Sequence, residues 1–315
     1  MIRTIAYRLL QSVPVFLAIS LLVFGSAHLA PGDPISNALS GQMPQASIDA
    51  LRHAYGLDRP LVEQYFIWLA NLASGHWGDS IVLKVPVMSV LGHAFLNTAI
   101  LTAAAVLICV LFGVTIGIAS GLHRRSRIDS ISMFVIQVGH NLPVFWLGLV
   151  LMWIFALKLH WLPSSGIADM RGDGGPFDLL KHLVLPATSA ALISMLLLAR
   201  LVRASVIEIA QTDYIRTYRS LGFSRASIVR RHIGRNLLSP IVNVTGLQIG
   251  YLLSGVILVE NVFAWPGLGT QLYVAAAGRD YPMAQAGVML IAACFVGMNL
   301  LTDIALDLLN PRLRA

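Results

Sequence analysis

Lysine occurs only three times in this 315-residue chain, at positions 84, 158 and 181, and none of the three follows a glycine. A Gly-x-x-x-x-Gly-Lys-Ser/Thr loop needs that dipeptide, because the lysine must reach the phosphates from the end of a glycine turn. The usual ATP-hydrolysing machinery is therefore excluded. Cysteine is scarcer still: Cys109 and Cys294 both lie in apolar runs, which supports neither a disulfide framework nor a Cys-x-x-Cys metal knuckle, and no metal site is expected. Gly-x-Ser-x-Gly and His-Glu-x-x-His are also missing, which removes two common hydrolase signatures. The widest deficit is in charge. Asp, Glu, Lys and Arg make up 12% of the residues, where a soluble domain carries about 25%. That shortfall points to a chain surrounded by lipid.

What fills the space is apolar: 57% of the residues are hydrophobic and the mean hydropathy is +0.74. Six stretches run without charge, from Arg8 to Asp33, Lys84 to Arg124, Asp129 to Lys158, Lys181 to Arg200, Arg235 to Glu260 and Asp280 to Asp303, and each holds at least 18 uncharged residues. A bilayer core takes about 20 apolar residues per helix. The pattern predicts six transmembrane helices near 9–30, 98–120, 132–157, 183–203, 237–260 and 283–306, in an all-α integral membrane protein. The first is long for a signal peptide and is not followed by a clean Ala-x-Ala site, so it is expected to be retained.

The net charge of +7 and pI near 9.8 would suggest nucleic acid in a soluble protein. Here the cations sort by side instead, and no nucleic-acid partner is expected. Fifteen of the 22 Lys and Arg lie at the two termini, in the 2–3 loop, and at the end of the fourth span with the 4–5 loop. Short basic loops stay cytoplasmic, which places both termini inside. The other side carries the large loop 31–97, which opens with Pro31-Gly32-Asp33-Pro34. Ile48, Leu51 and Tyr55, then Leu61, Tyr65, Trp68, Leu69 and Leu72, recur there at helical spacing and predict short surface helices.

Few polar groups fall within the spans. Glu260 and Asp303 sit near span ends, where solvation or pairing at the interface is the commoner fate of an acid, against a role in a pathway. His140 and Asn141 read as polar groups inside the third span, able to line a pathway or to bond between helices. A gradient-driven carrier usually needs a carboxylate at mid-membrane, and the sequence offers none there. Gly113, Gly117 and Gly121, and again Gly246 and Gly250, repeat at four-residue spacing, a packing signal that favours close helix approach, including across a subunit interface.

The most informative segment is the basic loop 204–236. Ile215, Tyr218 and Leu221 share one side of a short helix, and Arg216, Arg219 and Ser220 lie on another. Gly222 suits the left-handed residue that stops a helix, and Ser224 suits the N-cap of the next. In that second helix Ala226, Val229, Ile233 and Leu237 form the predicted apolar stripe, with Arg230, Arg231 and Arg235 facing away and Pro240 at or just before the start of the fifth span. Two readings stand at this point: a basic amphipathic element on anionic lipid, or a helix held below the membrane as a docking knob.

The run from Asp213-Tyr214-Ile215-Arg216-Thr217 to Gly222, followed by Arg235-Asn236 and Pro240, resembles the cytoplasmic EAA loop of ABC-importer membrane subunits, in the dipeptide/oligopeptide/nickel permease branch. Gly56-Leu57-Asp58, Pro60, Gln64-Tyr65 and Trp68-Leu69 are similar to that branch's first outer loop. Glu260, Phe263, Pro266-Gly267 and Gly269, then Arg279-Asp280-Tyr281-Pro282, Asn299, Asp303 and Asn310-Pro311-Arg312, are similar to its last two spans. Tyr218 departs from the branch's habit, as does His76 in the outer loop.

The resemblance implies a single type I permease domain over 1–315, with the core five-helix unit at 98–306 and the coupling loop at 204–236. Arg216, Thr217, Tyr218, Arg219, Ser220, Leu221 and Gly222 would form the ATPase-coupling element, with Tyr218 and Leu221 as its anchors. It implies a second homologous, non-identical permease subunit, two ATP-binding subunits that hold ATP and Mg, an extracytoplasmic binding protein, and the bacterial inner membrane. The chain itself would bind no cofactor and would not be an enzyme. Di- and oligopeptides are the expected substrates. Nickel or metal chelates are the alternative, with an ion-gradient carrier and an integral membrane enzyme behind them.

Overall fold

The computed structural model describes residues 2–29, 58–169 and 175–309. The motif at 31–34, the helical spacing at Ile48, Leu51 and Tyr55, and the terminal Asn310-Pro311-Arg312 lie outside them. Among the described residues the secondary structure is helical, apart from one isolated antiparallel bridge between Asp79 and Pro86.

In chain order the helices are α1 (Ile2–Leu29), α2 (Leu61–Ala73), α3 (Val87–Leu122), α4 (Arg127–Gly139), α5 (Val144–Leu151), α6 (Pro176–Ala210), α7 (Asp213–Ser220), α8 (Gly234–Val262), α9 (Leu268–Ala277) and α10 (Tyr281–Leu309). A π-helical turn, Met152–Lys158, prolongs α5. A second one, Ile228–Ile233, leads into α8 after a short turn at Arg225–Ser227. By length and composition α1, α3, α6 and α10 are long and apolar enough to cross a membrane, and the pair α4–α5 would make a further span.

That pair departs from expectation. The third span is not one helix: it breaks at 140–143 and turns by 108°. Pro143 is the cause, because its ring disfavours helical backbone at Leu142 and its own nitrogen cannot donate. The chain restarts with Pro143 as the N-cap of α5. Pro240 is a second departure. It lies inside α8 rather than at its start, since the helix already begins in the basic loop.

The chain divides into two compact units, one of Ala99–Trp265 with Met298–Ala315 and one of Ile2–Thr98 with Pro266–Gly297. In the first, α6 is the central element, and buried residues stud it from His182 to Val206. In lipid, apolar burial gains little and close packing must hold helices together. The glycines supply that closeness. A Cβ at Gly113 would meet Met195 O at 2.9 Å, at Gly117 Ala199 O and Val202 Cβ at 2.7 Å, and at Gly121 Val206 Cβ at 2.7 Å. The α3 stripe therefore packs inside the chain, on α6, and not across a subunit interface. Gly246 of α8 takes the side chain of Thr302 in the same way. Gly117→Val should cost about 1–3 kcal/mol, because the added atoms meet backbone that cannot move aside. Thermal unfolding in detergent checks this, and an unchanged midpoint would sink the packing argument.

In the second unit α2 turns its aromatic side onto α1. Tyr65 and Trp68 lie 5.4 and 5.8 Å from the Phe24 ring, Ser20 Oγ and Tyr65 OH are 2.8 Å apart, and His28 Nε2 reaches Gln64 Oε1 at 3.1 Å. Val87, Leu91, Leu268, Met283 and Ala286 form the local core.

Candidate functional site

The predicted coupling element is α7. It follows α6 after only Gln211 and Thr212, so the two helices are joined by almost no slack. Its end is a Schellman motif. Phe223 N–H donates to Tyr218 C=O and Gly222 N–H to Arg219 C=O, both at 3.1 Å, with Gly222 at φ +80°. The hydrophobic contact that accompanies such an end is present, with the Tyr218 and Phe223 rings edge to face at 5.2 Å. Ser224 then caps the next turn, its Oγ accepting from Ser227 N–H at 3.3 Å.

The apolar side of α7 is divided. Ile215 is fully buried, in one core cluster with Val206, Ile228, Ile233 and Leu237. Tyr218, expected to enter a partner, is instead stacked on His232 with ring centroids 4.0 Å apart and packs on this chain's own core. Tyr214 is tied back as well, with Asn236 Nδ2 donating to its hydroxyl at 2.7 Å. Leu221 remains outward at 66% exposure, beside Phe223 at 44%. Arg216, Thr217, Arg219 and Ser220 are exposed, and Arg216 lies 3.5 Å from Asp213 at the helix start. The surface offered outward is therefore an apolar tip of Leu221 and Phe223 ringed by cations and hydroxyls.

The following stripe is corrected by the π turn. Its buried members are Ile228, Ile233 and Leu237, while Ala226 is exposed and Val229 only half-buried. A π turn shifts the register by one residue, so Ile228 takes the place expected for Val229.

The other polar picks scatter. Asn141 is exposed at the α4–α5 break, donating to Gln137 C=O at 2.6 Å, and His140 caps α4. Neither lies within a continuous helix. Glu260 is fully buried in the first unit rather than solvated at an interface. The exit turn folds back over its helix end, with Trp265 N–H donating to Glu260 C=O at 2.8 Å and Ala264 in the left-handed region. Asp303 is half-buried in α10, and Gly250 lies in α8. A cavity of about 350 Å³ opens among Ser26, Arg279, Tyr281, Gln285 and Val288, and none of these polar picks lines it. Among the described residues no group of three or more His, Cys, Asp or Glu could hold a metal ion.

Two carboxylates that sequence reading left without a role organise much of the structure. Asp129, at the start of α4, is buried. Its Oδ1 accepts from Arg203 Nε and Ser120 Oγ, each at 2.6 Å, and its Oδ2 from Arg203 Nη2 and the Arg125 amide, each at 2.9 Å. Asp280 is likewise buried and clamps the tight turn 79–86. It accepts from Ser80 Oγ, from Ile81 and Val82 N–H at 3.3 and 3.4 Å, and from Met283 N–H at 3.4 Å as the cap of α10. An Asp two residues before a proline at a helix start was the available signal for Asp280. Asp129 had a weaker one, Ser126 three residues earlier at the N-cap.

Residues 113–315 match the family described as binding-protein-dependent transport system inner membrane component, and residues 1–118 match the N-terminal part of such membrane components. The chain is 37% identical to a di/tripeptide transport system permease protein of Pseudomonas aeruginosa, over 100% of this chain and 99% of the other. It is 39% identical to a glutathione transport system permease protein of Pectobacterium atrosepticum, over 98% and 97%. In fold it is similar to a chain of the inward-facing MetNI methionine ABC transporter, with a TM-score of 0.58 at 17% identity, over 71% of this chain and 98% of that one. The expectation drawn from the Asp213–Gly222 loop thus holds for the whole chain, which belongs to the inner-membrane permease subunits of binding-protein-dependent ABC importers, in the peptide/oligopeptide family.

Proposed function

We propose that this permease subunit imports di- and oligopeptides, forming one half of a pathway through the bacterial cytoplasmic membrane. The observation that carries the substrate class is the end-to-end identity to a relative named for di- and tripeptides. In this reading six spans place both termini inside, a second, non-identical permease subunit completes the pathway, and an external binding protein delivers the peptide. Two ATPase subunits hold ATP and Mg and receive α7, whose exposed Leu221 and Phe223 fit the apolar centre and charged rim of a docking surface. This chain binds no cofactor.

Uptake of labelled dialanine into proteoliposomes holding the assembled transporter tests the proposal. Uptake should require ATP and the binding protein, and should be competed by other dipeptides and not by nickel. Uptake of nickel in place of peptide overturns the substrate. Uptake that survives without ATP and collapses with an uncoupler overturns the mechanism.

A further inference from the structure

The Asp129–Arg203 pair spans 74 residues of sequence and is the bidentate ion pair that joins α4 to α6. Its surroundings make it more than a brace. Breaking a buried pair is costly, yet an apolar cluster of the same size would hold two helices equally well. What the carboxylate adds is convergence. It receives Ser120 from the end of α3, the Arg125 amide from a turn held at φ 64°, and both guanidinium donors from α6. Arg203 stands seven residues before the end of α6, and α7 follows after a two-residue link. Asp129 opens α4, which leads to the broken corner at 140–143. A shift of α6 must therefore carry α4 with it or break two charged hydrogen bonds.

We infer that Asp129 and Arg203 are positioning residues for transport, the point at which movement of α7 and α6 passes to α4 and its corner. This rests on the role proposed above for α7.

The test uses the complete transporter in proteoliposomes, with dialanine as the probe, reading dialanine imported per ATP hydrolysed. Arg203→Gln should assemble with its partners and lower that ratio at least tenfold. Arg200→Gln, the same change at an exposed arginine of α6 that takes no part in the Asp129 network, should stay within twofold of wild type. A wild-type ratio in assembled R203Q overturns the inference. So does a fall in uptake and hydrolysis together, in proportion to assembled protein, because that is what a mere brace produces. Should R203Q fail to assemble, Arg203→Lys decides on the same ratio: it keeps the charge but not the fork, and a tenfold fall supports the inference while a wild-type value overturns it. Leu221→Asp run in parallel separates the two readings. If it uncouples and R203Q does not, only this inference falls. If it too keeps the wild-type ratio, the role of α7 falls.

Discussion

A Leu221→Asp variant should reach the membrane at wild-type level and lose about 30-fold or more in ATP-driven uptake, the effect of removing about 2 kcal/mol at the centre of a docking surface. Leu221 makes no buried contact within its own chain. It is 66% exposed, so a charge there disturbs little within the chain, and a large effect must arise where a partner covers it. Tyr218→Asp would be less informative. It also removes the His232 stack and the Phe223 contact, and a folding defect would mimic uncoupling. Gly222→Pro attacks the same element through the backbone. Proline holds φ near −65° and has no N–H, whereas Gly222 needs φ +80° and donates to Arg219. Both variants are read by uptake and ATP hydrolysis in proteoliposomes, with immunoblots for membrane level. Normal uptake by well-expressed L221D would dispose of α7 as the coupling element.

The second large effect is expected at Asp280. Asp280→Ala leaves the Ser80 hydroxyl and three backbone N–H groups without their acceptor, and one unsatisfied buried donor alone costs about 1–3 kcal/mol. The turn 79–86 should then open, with new protease cleavage between Ile81 and Val85 and a lowered unfolding midpoint in detergent. Asp280→Asn keeps one acceptor oxygen and should fall between. A protease pattern unchanged in the alanine variant would show that the turn is held by other means.

The fold is legible in the sequence where one physical scale governs. Charge-free length marks the helices because lipid sets their extent, and α1, α3, α6 and α10 lie where those gaps run. The Gly222 stop was legible because few other residues tolerate its backbone. The fold is hidden where two distant residues decide. Asp129 marked only the edge of a gap, and Arg203 only a count of cations. Nothing in their 74-residue separation announced the pair. Register was lost at 228–233, since a π turn leaves no clear compositional mark, and with it the choice of Ile228 over Val229. Burial of Glu260 was hidden too, because an acid at the end of a charge-free run carries no sign of what will cover it in the fold. The break at 140–143 was readable in principle from Pro143, and the charge-free run from Asp129 to Lys158 concealed it.

The way α7 is fastened bears on how it can be recognised. An eight-residue helix cut free of its chain would be largely unfolded in water, because nucleation outweighs so few backbone bonds. Here the two-residue link to α6, the buried Ile215, the His232 stack and the Asn236 bond hold it in shape from both ends. The entropic cost of ordering the helix is met during folding of the permease, so a partner meets a surface already set. A synthetic peptide of residues 213–223 therefore carries the same side chains without the same affinity, and should compete poorly for whatever α7 binds.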